Sequence, residues 1–115
     1  MVSHSCNQNI SRDYAAHFGI QPDDIFGWDY PEHQRKPNPY PLEQIMEKYH
    51  LHPDQLLVVD DMKPAWEMAS KVDVPVAFAA WGRKEYPEIV KDMTERCDYT
   101  FHSTVELEKF LFEEV

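Results

Sequence analysis

The chain reads as a parallel α/β protein, on three observations. Short apolar runs alternate with stretches of helical periodicity along the whole sequence, and prolines and capping residues stand at the joints between them. One run, Leu56-Leu57-Val58-Val59, empties directly into Asp60-Asp61. Pro64 then opens a helix with apolar positions Ala65, Met68, Ala69 and Val72, since proline's fixed φ and missing N–H are tolerated in a first helical turn. Four apolar residues in succession predict a short, fully buried strand. Ligands of open parallel sheets bind beyond the carboxyl ends of such strands, where adjacent acids hold a hard cation or a proton.

The other elements follow in order. Met1-Val2-Ser3-His4-Ser5 resembles the end of a strand and the turn after it. Asn9 to Phe18 predicts a helix with Ile10, Tyr14 and Phe18 on one face, closed by Gly19. Ile25-Phe26-Gly27-Trp28 is a short strand candidate, and Asp29 to Tyr40 is an extended loop because Pro31, Pro37 and Pro39 forbid a ladder or a helix. Pro41 begins a helix with Leu42, Ile45, Met46 and Tyr49 along one stripe. Pro75 to Ala79 and Tyr99 to Phe101 predict further strands, with the loop Ala80–Arg83 and a helix from Pro87 to Met93 between them. Ser103 and Glu106 have capping-box spacing ahead of a last helix, whose Leu107, Phe110 and Leu111 face inward. Strand-helix alternation of this kind predicts right-handed crossovers in one parallel sheet.

Composition narrows the function classes. At 115 residues the chain is at most one domain, and 43% hydrophobic with 13% aromatic residues it has the material for a core. A net charge of −10, with no cluster of Lys or Arg, disfavours nucleic acid and anionic membranes as partners. Cys6 and Cys97 have neither metal-ligand spacing nor the density of a disulfide scaffold, which predicts reduced thiols and a cytoplasmic location. No apolar run approaches the roughly 20 residues of a membrane span.

Chemistry is concentrated at three places, each at or beyond the carboxyl end of a predicted strand: Ser3-His4, Lys36 and Asp60-Asp61. A hydroxyl with the N–H groups of a strand-to-helix turn can cradle a phosphate, a lysine can neutralise it, and paired carboxylates can place Mg²⁺ beside it. His50 and His52 fall at the other end of the Leu56–Val59 strand and read as a solvated turn.

In this order, Val2-Ser3-His4-Ser5, Lys36-Pro37-Asn38-Pro39 and Val58-Val59-Asp60-Asp61 with Glu67-Met68-Ala69 resemble motifs two, three and four of the haloacid dehalogenase (HAD) superfamily, in its phosphoglycolate phosphatase-like branch. Val74–Ala77, Ala80-Trp81-Gly82, Asp98-Tyr99 and Glu106-Leu107 extend the likeness along the chain. The resemblance implies a Rossmannoid three-layer α/β/α core over residues 1–115, without the family's first strand and cap domain. It implies that Ser3, helped by the backbone at His4, hydrogen-bonds a transferring phosphoryl group. Lys36 holds that phosphate, Asp60 and Asp61 bind Mg²⁺, and the substrate is a small phosphorylated metabolite.

Two departures shape the expectation. Ala65 stands where many members carry a second acid, so Asp60 supplies it from the adjacent position. The first motif, Asp-x-Asp-x-Thr, is missing, and with it the covalent nucleophile and general acid. The resemblance therefore implies a C-terminal fragment of a phosphomonoester hydrolase, inactive alone, or else a non-catalytic phosphate- or partner-binding remnant. In the family the first strand lies between the strand ending at motif two and the one ending at Val59, so its loss splits the sheet and invites pairing with a missing N-terminal half or a second copy. Trp81 and Arg83 are candidates for the site rim. A two-component receiver domain also combines strand-end acids with a lysine, but its acid pair comes early and its lysine late, whereas Lys36 precedes Asp60.

Overall fold

The computed structural model describes residues 1–3 and 5–113. Among them, α1 (Asn7–Phe18), α2 (Tyr40–Tyr49), β1 (Val58–Asp60), α3 (Lys63–Ser70), β2 (Val76–Ala79), α4 (Pro87–Arg96), β3 (Tyr99–Phe101) and α5 (Thr104–Glu113) follow one another, with single 3₁₀ turns at Glu32–Gln34, Pro53–Gln55 and Ala80–Gly82. The strands form one parallel sheet in the order β1-β2-β3. This is the α/β class that the alternation predicts.

β2 is central because all four of its residues are buried on both faces. Phe78 is fully enclosed together with Ala80 and Met93, while Val76 joins Leu42, Met68, Ala69 and Val74 in the second half of the core. Burying side chains of this size stabilises by roughly 1.5–3 kcal/mol each. β3 is fastened at its start, where Asp98 accepts the Val76 N–H at 2.8 Å on its carboxylate and donates its own N–H to the Val76 carbonyl at 3.0 Å.

β1 differs from expectation in place and in burial. It runs over Val58–Asp60 because Leu56 is still closing the 3₁₀ turn, donating its N–H to the Pro53 carbonyl. Val59, at its centre, is 42% exposed, so the strand is covered on one edge only.

The amino-terminal residues pair with each other outside the three-stranded sheet, with Val2 packed against the core around Leu42 and Met68. The expected strand Ile25–Trp28 reduces to a single parallel bridge between Val2 and Phe26, in which the Phe26 N–H donates to the Met1 carbonyl and the Ser3 N–H to the Phe26 carbonyl. Past the bridge the Trp28 N–H donates to the Ser5 carbonyl rather than to that of Ser3, which leaves ladder register, and Gly27 passes so close that an added Cβ would lie 2.5 Å from the Ser5 carbonyl oxygen. Asp24 binds this unit to α2, taking Lys48 Nζ at 2.7 Å and the Tyr49 hydroxyl at 2.5 Å. The Lys48 and Tyr49 hydrogen bonds hold its carboxyl below the usual range. Helix ends follow their local chemistry: Gly19 and His50 close α1 and α2 at φ 67° and 55°. At α5, Ser103 Oγ accepts the Glu106 N–H as expected, but the Glu106 carboxylate reaches the N–H of His102, one residue further back than the capping box predicts. Leu111, expected inside, is 42% exposed. Among the described residues no helix is long and apolar enough to cross a membrane.

Candidate functional site

Two acids leave the carboxyl end of β1 and are held in different ways. Asp60 turns its Oδ1 back onto the chain, accepting the N–H groups of Asp61 at 2.7 Å and Met62 at 3.1 Å. Its Oδ2 accepts Lys36 Nζ at 2.8 Å. Both side chains are largely enclosed, at 9% exposure for Lys36 and 18% for Asp60, so water weakens this pair far less than a surface one.

Lys36 reaches Asp60 across 24 residues because its loop is fixed on both sides. On one side the Arg35 guanidinium lies 3.5 Å over the Trp28 ring and donates to the Trp28 carbonyl. On the other, Lys71 donates to the Pro37 carbonyl and the Asn38 N–H donates to the Arg35 carbonyl. The prolines that forbid regular structure thus give the lysine a defined path.

Asp61 points to the other side, into a cavity of about 350 Å³ that it shares with Met62, Pro64, Arg83, Ile89 and Met93. Arg83 Nε lies 3.3 Å from Asp61 Oδ2 but is not aligned for a hydrogen bond, and that buried nitrogen has no hydrogen-bond partner. Gly82 allows this arrangement, since an added Cβ there would sit 2.6 Å from Asp61 Oδ2. Arg83 therefore borders the acid pair as the sequence predicts for a rim residue. The role of Gly82 was not read from the sequence; a glycine closing the turn after β2 was its only signal.

Ser3 stands on the small amino-terminal unit. Its Oγ accepts the Ser5 N–H at 3.1 Å, which leaves the hydroxyl proton to donate elsewhere, and no partner for it occurs among the described residues. Val2, beside it, and Asp60 line the same cavity of about 230 Å³. The structure thus brings Lys36 and Asp60 into contact, sets Asp61 on their far side, and keeps Ser3 across a cavity from them. His4, the remaining predicted contact, lies outside the described residues.

Mg²⁺ sets a chemical requirement on the donor set. This ion commonly takes one or two carboxylates and completes its octahedron with water and phosphate oxygens. Asp61 offers such a carboxylate toward open space, and Asp60 adds a second whose oxygens already carry N–H and ammonium partners. Among the described residues no three His, Cys, Asp or Glu side chains converge as a ready-made cage. Asp61 alone turns a carboxylate to open space, since both Asp60 oxygens are taken by Lys36 and the backbone.

No family model and no curated protein matches the sequence. Among solved structures, the chain is similar to a crystal structure from Lactobacillus plantarum described as a "putative phosphoglycolate phosphatase", with a TM-score of 0.67 and 18% identity over 94% of this chain. The match covers 50% of that protein, so the chain spans about half its length. The likeness is one of fold, a parallel α/β arrangement shared with part of that protein.

Proposed function

We propose that this chain forms the phosphate- and metal-binding half of a HAD-like phosphomonoester hydrolase that acts on a small phosphorylated metabolite. The observation that carries the reading is the enclosed contact of Lys36 Nζ with Asp60 Oδ2 at 2.8 Å, at the carboxyl end of a parallel strand. Burying a lysine there is costly unless its charge has work at that position, and an ammonium fixed beside acids suits a phosphoryl group with a divalent cation.

Each residue has a part. The Ser3 hydroxyl donates to a phosphoryl oxygen. Lys36 neutralises the same group and is kept in direction by Asp60. Asp61, with Asp60, holds Mg²⁺, which when bound offsets the charge of the equatorial phosphoryl oxygens. Arg83 balances the Asp61 charge from the rim.

The attacking group is supplied from outside residues 1–115. The resemblance assigns it to an Asp-x-Asp-x-Thr motif that this sequence lacks, and none of the residues at the site substitutes for it. The chain alone therefore binds phosphate without turnover. An aryl phosphate assay with Mg²⁺ tests this: no turnover is expected, and turnover abolished by Asp61→Asn overturns the statement that the nucleophile is missing.

A further inference from the structure

We propose that the cavity on the outer side of the Lys36 loop is a second anion site, which takes the phosphoryl group of a small molecule and braces that loop. The backbone makes the division. Arg35 is extended, at φ −111° and ψ 155°, so its side chain and that of Lys36 leave the chain on opposite sides. Lys36 goes to Asp60, while Arg35 lines a cavity of about 470 Å³ with Glu32, His33, Pro37, Asn38 and Lys71. None of Ser3, Lys36, Asp60 and Asp61 borders that cavity.

Its donors are largely unused. The Arg35 guanidinium is backed by the Trp28 ring at 3.5 Å and gives one N–H to the Trp28 carbonyl, but its Nε–H is buried and has no hydrogen-bond partner among the described residues. A buried donor without an acceptor is costly, and a ligand oxygen removes that cost. Lys71 uses one of its three ammonium protons on the Pro37 carbonyl, and Asn38 accepts the Tyr40 N–H on Oδ1, which leaves its amide NH2 to donate. Neither Arg35 nor Lys71 forms an ion pair among the described residues, and together they outweigh Glu32, the one acid lining the cavity. On a molecule of net charge −10, a cavity of opposite sign draws a compact anion. A carboxylate fills one guanidinium fork. A phosphoryl group, with three acceptor oxygens and a charge of about −1.5 to −2, engages the fork, the ammonium and the amide together. Arg35 and Asn38 stand on either side of Lys36-Pro37, and Lys71 comes from the end of α3, so one anion held by all three ties the loop to that helix. The site does not depend on the phosphatase reading, and either can fail alone.

The test titrates the chain with inorganic pyrophosphate, without Mg²⁺, and follows the ¹⁵N–¹H signal of Arg35 Nε by NMR. Saturable displacement of that signal is expected, with slower amide exchange at Asn38, whose N–H donates to the Arg35 carbonyl at 2.8 Å. Lys71→Gln keeps a donor for the Pro37 carbonyl but removes the charge, and should weaken binding by about tenfold. Glu32→Gln removes the opposing carboxylate and should strengthen binding by about threefold. Both side chains are exposed, so neither change disturbs the core. The Arg35 response should persist in Lys36→Met and Asp61→Asn, which separates it from phosphate held beside β1. An Arg35 signal that stays still, that moves as far in sodium chloride of matched ionic strength, or that is lost in Asp61→Asn overturns the proposal. So does binding indifferent to both Lys71→Gln and Glu32→Gln, or Asn38 exchange unchanged at saturation.

Discussion

Replacing Lys36 by methionine removes the ammonium and keeps most of the side-chain volume. At 2.8 Å and an effective dielectric near 20, the gross attraction to Asp60 is about 6 kcal/mol, of which desolvation cancels a large part. Breaking an enclosed pair costs about 3–5 kcal/mol, and Asp60 retains two backbone N–H partners, so the lower end applies. Lys36→Met is thus expected to destabilise by about 3 kcal/mol and to lower Tm by roughly 10 °C. The assay is urea unfolding of Lys36→Met, Asp60→Asn and the double variant. Since each single change leaves a partner stranded, the double variant should recover about 2 kcal/mol of the summed loss. Additivity within about 0.5 kcal/mol would refute a direct, enclosed pairing of these two side chains.

Two further outcomes follow from local geometry. Gly82→Ala forces its Cβ against Asp61 and should cost about 1–2 kcal/mol in unfolding experiments while weakening Mg²⁺ retention; an unchanged stability would show that the Asp61 carboxylate is not held against Gly82. Burial pushes the Cys97 thiol from 9.0 up to about 11, with Asp98, Asp92 and Asp60 adding to the rise. The unfolded chain ionises first, so the stabilisation is complete below pH 9 and is lost as pH climbs from 9 through 11. Urea midpoints of the natural chain should fall more steeply across that interval than those of Cys97→Ala, and parallel profiles would contradict the raised thiol.

The sequence was most legible where one cause dominated. Proline at the starts of α2, α3 and α4 and the unbroken apolar run of β2 left little competition, and the parallel alternation followed from them. Legibility failed where distant contacts decide. Ile25–Trp28 has strand-like residues, but its partner is the chain start, where the Trp28 N–H bonds the Ser5 carbonyl out of ladder register and one bridge remains. Val59 reads as buried from its apolar neighbours, yet β1 stands at the edge of the described sheet and Val59 is 42% exposed. Lys36 and Asp60-Asp61 are singled out by their order along the chain and their resemblance to family motifs, and the structure brings Lys36 and Asp60 into contact. Their different orientations were not legible: Asp60 folds back onto Lys36 and its own turn, while Asp61 meets Arg83 over Gly82, and only packing between β1 and the turn after β2 sets that division.

Titration of the chain with inorganic phosphate in the presence and absence of Mg²⁺, followed by ³¹P NMR, addresses the proposed phosphate and metal half-site most directly. Saturable binding that strengthens with Mg²⁺, falls by about tenfold or more in Lys36→Met, and loses its Mg²⁺ dependence in Asp61→Asn is the expected result. Phosphate affinity that is the same in the natural chain, Lys36→Met and Asp61→Asn would contradict it.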